Sequence, residues 1–123
     1  MSRKPEPMTN PITNRGTAFT RAERLEHGMI GRLPAAVETL EQQAQRCYRQ
    51  LQGLGCNIDR YVFLEELQNR NETLYYKLLV DHLVELLPVI YDPTVGEAIK
   101  KWSHAYRRSR AVYLSVDHIE DVR

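Results

Sequence analysis

Cysteine and long apolar segments are both scarce in this chain. Only two of its 123 residues are cysteines, Cys47 and Cys56, and they form no metal or redox motif. Two are too few for a disulfide-bonded scaffold, so we expect reduced thiols in a cytoplasmic protein. No apolar run approaches the ~20 residues that cross a bilayer, and the first residues, MSRKPEPMTNPITN, lack the apolar centre of a secretion signal. We therefore expect no association with a membrane.

The chain also lacks an excess of charge of either sign. Lys and Arg total 17 and Asp and Glu total 16, which gives a net charge of +1. This balance argues against the broad basic surfaces that bind nucleic acid. One basic run, Arg107, Arg108 and Arg110, has no interleaved aromatic residues of a nucleic-acid platform. We interpret it as a charged connection between a helix and a strand, and we expect no nucleic acid partner.

The length suits one small domain, residues 20–123, preceded by an extended segment, residues 1–19, which is rich in Pro, Asn and Thr. Thr20 and Glu23 have the spacing of a capping box, so a short helix should begin there. Gly28 suits the end of that helix, because glycine adopts the left-handed conformation of a helix terminus without strain.

Helical periodicity predicts two further helices before residue 71. The first should end at residues 53–55, which contain two glycines. The second should cover residues 58–70, with Asn57 as its N-cap. The apolar positions that define the first of these helices are Val37, Leu40, Ala44, Cys47 and Leu51.

A strongly apolar stretch follows Asn71, which we expect to cap a helix that extends to about Leu87. Ten of the fourteen residues 74–87 are apolar. A helix with so little polar surface should be buried on most sides and lie at the centre of the core. Pro88 should end it. The polar stripe of this helix consists of Lys77, Asp81 and Glu85, which recur every four residues.

The remaining sequence predicts one more helix and a strand. Thr94 and Glu97 follow Pro93 and have the spacing of a second capping box. Residues 111–116, AVYLSV, have the β-branched and aromatic content of a strand. A lone strand needs partners, so we expect further chain in a larger protein. The predicted fold is mainly α, with about five helices and a short terminal strand.

Several segments resemble the amino-terminal domain of malic enzymes, in the same order. The most specific is residues 87–98, LPVIYDPTVGEA, where the family usually has VYTPTVGEA. Residues 11–20 (PITNRGTAFT), 32–46 (RLPAAVETLEQQAQR) and 67–91 (LQNRNETLYYKLLVDHLVELLPVIY) extend the likeness. With residues 106–115 (YRRSRAVYLS), the resemblance covers about residues 10–117.

The resemblance implies a catalytic role for Tyr91. From position alone, a tyrosine at a helix end is usually part of the core, with its hydroxyl bonded to the backbone. The matching tyrosine of malic enzymes is the general acid that protonates the enolate of pyruvate after carbon dioxide leaves. Its partner in the family is a lysine from a later segment, which Lys100 and Lys101 do not match. Asp92 replaces the usual threonine, and a carboxylate beside the phenol would disfavour the phenolate form of Tyr91.

The resemblance also implies an effector site at Arg46, Arg70 and Glu38. These residues match positions that bind the activator fumarate near the dimer interface of some malic enzymes. Two arginines can hold a dicarboxylate through paired hydrogen bonds. Without the resemblance, surface arginines with local salt bridges would be the simpler interpretation.

The parent enzyme implied by the resemblance oxidises L-malate with NAD or NADP and decarboxylates it to pyruvate, with Mg or Mn. We predict no metal-binding residues in this chain, because Glu120 and Asp121 lack a third carboxylate and His82 and Glu85 lack a third ligand. We also predict no cofactor-binding residues, because Ile58 occupies the third glycine position of the dinucleotide-type loop that begins at Gly53. This chain alone should therefore be inactive.

Two alternatives stay open. One is a fragment of malolactic enzyme, a relative that yields lactate. The other is a non-catalytic helical module of a homo-oligomer, since family members form dimers and tetramers.

Overall fold

The computed structural model describes residues 3–105 and residue 117, and within them every regular element is helical. The strand predicted over residues 111–116 lies outside the described residues. The helices are α1 (Glu6–Thr9), α2 (Arg21–Glu26), α3 (Leu40–Gln52), α4 (Asn57–Arg70), α5 (Glu72–Asp81), α6 (Leu83–Ile90), α7 (Thr94–Lys100) and α8 (Trp102–Ala105), with a 3-10 turn at Gly16–Ala18.

The mainly helical fold is confirmed, but the described residues contain more than the five helices predicted. The long helix predicted from residue 71 is divided at His82, which has φ −133° and ψ 34° and so leaves the helical region. Pro88 lies inside α6 and does not end it. Because proline lacks an N–H, it omits one backbone hydrogen bond, and the helix continues for only two more residues.

The segment predicted to be extended, residues 1–19, contains α1 and the 3-10 turn among its described residues. It is attached to the junction between α4 and α5 by two hydrogen bonds. The Asn14 side-chain amide donates to the carbonyl of Arg70 at 2.9 Å, and the backbone N–H of Glu72 donates to the carbonyl of Pro11 at 2.9 Å. These bonds give a proline-rich segment a fixed position beside the helices.

Helix caps account for several boundaries. Thr20 and Glu23 form the predicted capping box of α2, and Asn71 caps α5 by accepting from the N–H of Leu74. The box of Thr39 and Gln42, which begins α3, was not predicted.

Two predicted caps were wrong. The N-cap of α4 is Cys56, and Asn57 is already the first helical residue. Thr94 is the first residue of α7, after Pro93, and makes no capping bond. Pro93 holds the N-cap position, and the Thr94 side chain is buried in the protein.

The core lies among α3, α4, α5 and α6, and the last turn of α5 and most of α6 leave a large apolar surface uncovered. The prediction of a helix buried on most sides was therefore wrong for residues 76–87, because neighbouring elements cover only one face. The buried core residues include Ala44, Cys47, Leu51, Leu64, Leu67, Leu74, Leu78, Leu86 and Val89. We name the uncovered surface the α5–α6 ridge; it consists of Tyr76, Val80, Leu83, Val84, Leu87 and Tyr91, each at least half exposed.

Candidate functional site

Tyr91 lies at the carboxyl end of α6, where its backbone is held from both sides. Its N–H donates to the carbonyl of Leu87 at 3.0 Å, and its own carbonyl accepts from the N–H of Val95 at 2.8 Å. The side chain is 64% exposed, and within residues 3–105 its hydroxyl makes no hydrogen bond. Tyr91 is thus a fixed backbone position that presents a phenol to the surface, unlike a tyrosine packed in the core.

Asp92, the departure from the family motif, lies against the first turns of α7. A Cβ atom added at Gly96 would be 3.7 Å from Oδ1 of Asp92, so the carboxylate is next to that glycine. A negative charge in this place is favourable, because the amino end of a helix carries partial positive charge. Asp92 therefore has a local role at the start of α7. Nearby, Lys101 pairs with Glu97 at 3.1 Å on the exposed side of the same segment.

A second site forms around two arginines, and we name it the two-arginine pocket. Arg46 on α3 and Arg70 at the end of α4 both line a cavity of about 300 Å³, together with Asn14, Thr17 and Gln43. Glu38 joins the site through a salt bridge in which Nη1 of Arg46 is 2.7 Å from its Oε1. The structure therefore brings together the three residues that the resemblance assigned to an effector site.

Thr17 and Gln43 also line this pocket, and neither was predicted from the sequence. The Thr17 hydroxyl donates to Oε1 of Glu38 at 2.7 Å and accepts from Nε2 of Gln43 at 2.9 Å. Gln43 is only 2% exposed, and its Oε1 has no partner within the described part of the chain. The available signal was a glutamine on the apolar face of α3, one position before Ala44 and three after Leu40.

The charges of the pocket also act on Cys47, which lines it. Burial raises the pKa of the Cys47 thiol, while Arg46 and Arg70 act to lower that pKa and Glu38 acts to raise it. Two arginines that line one cavity, one of them paired with Glu38, are suited to a dianion with two carboxylates.

The polar stripe of α5 and α6 contacts α3 and does not form a separate site. Nζ of Lys77 is 2.9 Å from Glu41 on α3 and 3.0 Å from Asp81, and these hydrogen bonds raise the pKa of Lys77. The Tyr48 hydroxyl donates to Glu85 at 2.6 Å, which raises the pKa of Tyr48. The Tyr48 ring also stacks on His82, with centroids 3.6 Å apart.

No group of three or more His, Cys, Asp or Glu side chains that could hold a metal ion occurs among residues 3–105 and 117. No helix in the described part of the chain is long and apolar enough to cross a membrane. The basic run Arg107, Arg108 and Arg110 and the pair Glu120 and Asp121 lie outside the described residues.

Comparison with known proteins gives one family and several close relatives. The family model described as malic enzyme, N-terminal domain, matches residues 68–123. A protein of Mycobacterium tuberculosis named putative malate oxidoreductase [NAD] is 49% identical over 120 residues, which cover 98% of this chain and 22% of that protein. NAD-dependent malic enzymes of Aeromonas hydrophila and Sodalis glossinidius are 45% and 49% identical, over 96% and 91% of this chain and 22% and 20% of their own lengths. The chain thus spans about a fifth of the length of the curated relatives it matches.

Proposed function

We propose that this chain is the amino-terminal part of an NAD-dependent malic enzyme, because residues 68–123 match the family model described as malic enzyme, N-terminal domain, and NAD-dependent malic enzymes are similar to most of the chain. The parent enzyme, meaning the longer protein, converts L-malate to pyruvate and carbon dioxide as NAD, or alternatively NADP, is reduced. The observation that carries the proposal is Tyr91 in the family motif, fixed at the end of α6 with its side chain exposed. Two free cysteines fit a cytoplasmic enzyme.

In this proposal Tyr91 supplies a proton late in the reaction. Loss of carbon dioxide from the oxidised substrate leaves the enolate of pyruvate, which becomes pyruvate when its carbon accepts a proton. A free phenol titrates near ~10, so at neutral pH it carries the proton that such an acid must donate. The exposure of the Tyr91 side chain lets a substrate reach the hydroxyl without rearrangement of the core. A lysine from a later part of the parent enzyme returns the proton to the phenol.

The metal ion and the nicotinamide cofactor belong to other parts of the parent enzyme in this proposal. A bound Mg or Mn ion supplies Lewis acidity toward the carbonyl and the enolate. The described residues do not fit such an ion, because they include no group of three candidate ligands. We therefore assign no step in this chain to a metal, and we expect the chain alone to be inactive.

The test compares the purified chain with the parent enzyme under identical conditions, with L-malate, NAD and Mn. The parent should form NADH and pyruvate in equal amounts, and the chain alone should form neither. Lactate without net NADH from the parent would identify a malolactic enzyme. NADH formation by the chain alone would show that the catalytic machinery is complete within it, which this proposal denies.

We propose a regulatory role for the two-arginine pocket, as a site for a dicarboxylate such as fumarate. Arg46 and Arg70 line the same cavity, and one carboxylate of the ligand can pair with Arg46 while Glu38 keeps that guanidinium group in place. The second carboxylate then pairs with Arg70. Fumarate binding should be lost when Arg70 is replaced by Gln, since one of the two cationic partners is then absent.

The α5–α6 ridge supports a second candidate function, assembly of the chain into a homo-oligomer. Val80 is 75% exposed and Val84 is 90% exposed, and both belong to the six exposed apolar or aromatic residues of the ridge. Exposed apolar residues grouped in this way are typical of protein contact sites. A symmetric dimer would cover the same ridge on both copies, Tyr91 included, so this assembly is a non-catalytic alternative to the role of Tyr91 as a general acid.

A further inference from the structure

Arg24, on α2, is a buried cation whose hydrogen bonds converge on backbone carbonyls. It is 4% exposed. Nε donates to Phe19 at 2.8 Å, Nη1 donates to Pro34 at 2.7 Å, and Nη2 donates to Thr17 at 2.9 Å and Ala36 at 3.2 Å. The guanidinium group has five N–H donors in a planar, rigid arrangement, which lets a single side chain fix carbonyls from two separate segments.

Those two segments are the ones that bring Thr17 and Glu38 into the two-arginine pocket. The 3-10 turn carries Thr17, and the loop of residues 34–36 leads directly to Glu38. The carbonyl of Thr17 accepts from Nη2 of Arg24 and also from the backbone N–H of Glu38, at 3.0 Å. Arg24 therefore holds the turn and the loop at the point where they meet.

Thr17 and Glu38 in turn direct the guanidinium group of Arg46. Oε1 of Glu38 accepts from Nη1 of Arg46 at 2.7 Å and from the Thr17 hydroxyl at 2.7 Å. Nη2 of Arg46 is 3.5 Å from the Thr17 oxygen. The direction of Arg46 thus depends on two residues whose backbone positions depend on Arg24.

We propose that Arg24 is a positioning residue of the two-arginine pocket: it orients Arg46 through Thr17 and Glu38 and does not itself touch the ligand. Its effect on ligand affinity rests on the proposed effector function, whereas its effect on Arg46 does not. A lysine at this position keeps the charge and most of the length. It cannot bond both segments, because the three donors of its ammonium group share one nitrogen atom, whereas those of Arg24 are spread over three.

The test uses the 123-residue chain with Arg24→Lys, and Arg15→Lys as the matched control. Arg15 lies just before the 3-10 turn, and its side chain is 60% exposed and pairs with Glu23 on the surface at 3.1 Å. The first readout is the ¹⁵N–¹H signal of the Arg46 side chain, with Glu38→Gln marking where that signal lies when the salt bridge is broken. Arg24→Lys should move the signal toward the Glu38→Gln position, and Arg15→Lys should not.

The second readout is the dissociation constant for fumarate, measured by calorimetry. Arg24→Lys should raise this dissociation constant about tenfold or more, because a misdirected Arg46 loses a hydrogen bond to the charged ligand. The loss of such a bond commonly has an effect of this size. An unmoved Arg46 signal in folded Arg24→Lys overturns the proposal. Absence of fumarate binding to the unsubstituted chain rejects the effector function alone, because the Arg46 signal still tests Arg24.

A third measurement covers the case in which Arg24→Lys does not fold. In the unsubstituted chain the bonded Arg24 guanidinium should show separate Nη signals with slow rotation, because each nitrogen is held by a carbonyl. A single averaged signal would mean that Arg24 does not hold the two segments, which overturns the proposal without any substitution.

Discussion

Replacement of Val84 by Glu should disrupt self-association through the α5–α6 ridge and leave the fold intact. Val84 is 90% exposed and contributes almost nothing to the core of a single copy. Surface substitutions of this kind usually change the free energy of unfolding by no more than about 0.5 kcal/mol. The thermal transition should therefore be nearly unchanged.

The expected effect on association follows from the same exposure. Covering a valine side chain in an interface contributes about 1.5 kcal/mol. A two-fold interface contains the residue twice, so the substitution should weaken a dimer by at least about 3 kcal/mol, or roughly a hundredfold in the dissociation constant. The cost of placing a carboxylate against apolar surface adds to this figure.

Sedimentation equilibrium over a range of concentrations measures the effect directly. Leu25→Glu is the matched control, because Leu25 is a similarly exposed apolar residue on α2 and lies outside the ridge. The unsubstituted chain and the control should associate with the same constant, and Val84→Glu should be largely monomeric. If the chain associates and Val84→Glu does not weaken it, the contact uses another surface. A chain that stays monomeric at high concentration would refute the oligomer candidate itself.

Three further predictions concern the core, the pocket and a helix cap. Leu78→Ala removes a fully buried side chain of α5 and should lower the free energy of unfolding by about 3 kcal/mol, as measured by urea denaturation; a loss below about 1 kcal/mol would contradict the packing described. Because burial raises the pKa of the Cys47 thiol, less thiolate is present at pH 8, and iodoacetamide should label exposed Cys56 well before Cys47; equal rates by mass spectrometry would contradict this. The backbone hydrogen bond with Thr20 lowers the pKa of Glu23 below its ordinary 4.5, so its contribution to stability is present above that pH and is lost as pH falls through the lowered value. Glu23→Gln keeps the capping geometry without titrating, so its melting temperature should decline less than that of the unsubstituted chain between pH 6 and 3; equal declines would contradict the assignment.

Local signals predicted the fold where the responsible contacts are local. The capping box of Thr20 and Glu23 and the cap at Asn71 involve residues three positions apart, so the sequence contains all of the information. The division at His82 was not predictable, because the surrounding residues have helical periodicity. Its ring stacks on Tyr48, which comes from α3, and such a tertiary contact leaves no local pattern.

The candidate site was predictable only in part for the same reason. Tyr91 was found through a contiguous motif, but its exposure depends on how α6 packs. Arg46 and Arg70 were identified by resemblance. Thr17 contacts Gln43 and Arg46, and in each contact the two residues are more than 20 positions apart in the sequence. Periodicity does not encode such contacts.

We propose that Tyr91 is the general acid of a malic enzyme, and the decisive experiment is the substitution Tyr91→Phe in the parent enzyme. The phenylalanine variant keeps the ring and removes only the hydroxyl. Tyr76→Phe, another exposed tyrosine on the same ridge, is the control. With L-malate and NAD, we expect Tyr91→Phe to lower kcat by about 10²- to 10⁴-fold with little change in KM. Tyr76→Phe should leave both kcat and KM unchanged. If the Tyr91→Phe enzyme had the kcat of the unsubstituted enzyme, Tyr91 would not be the general acid.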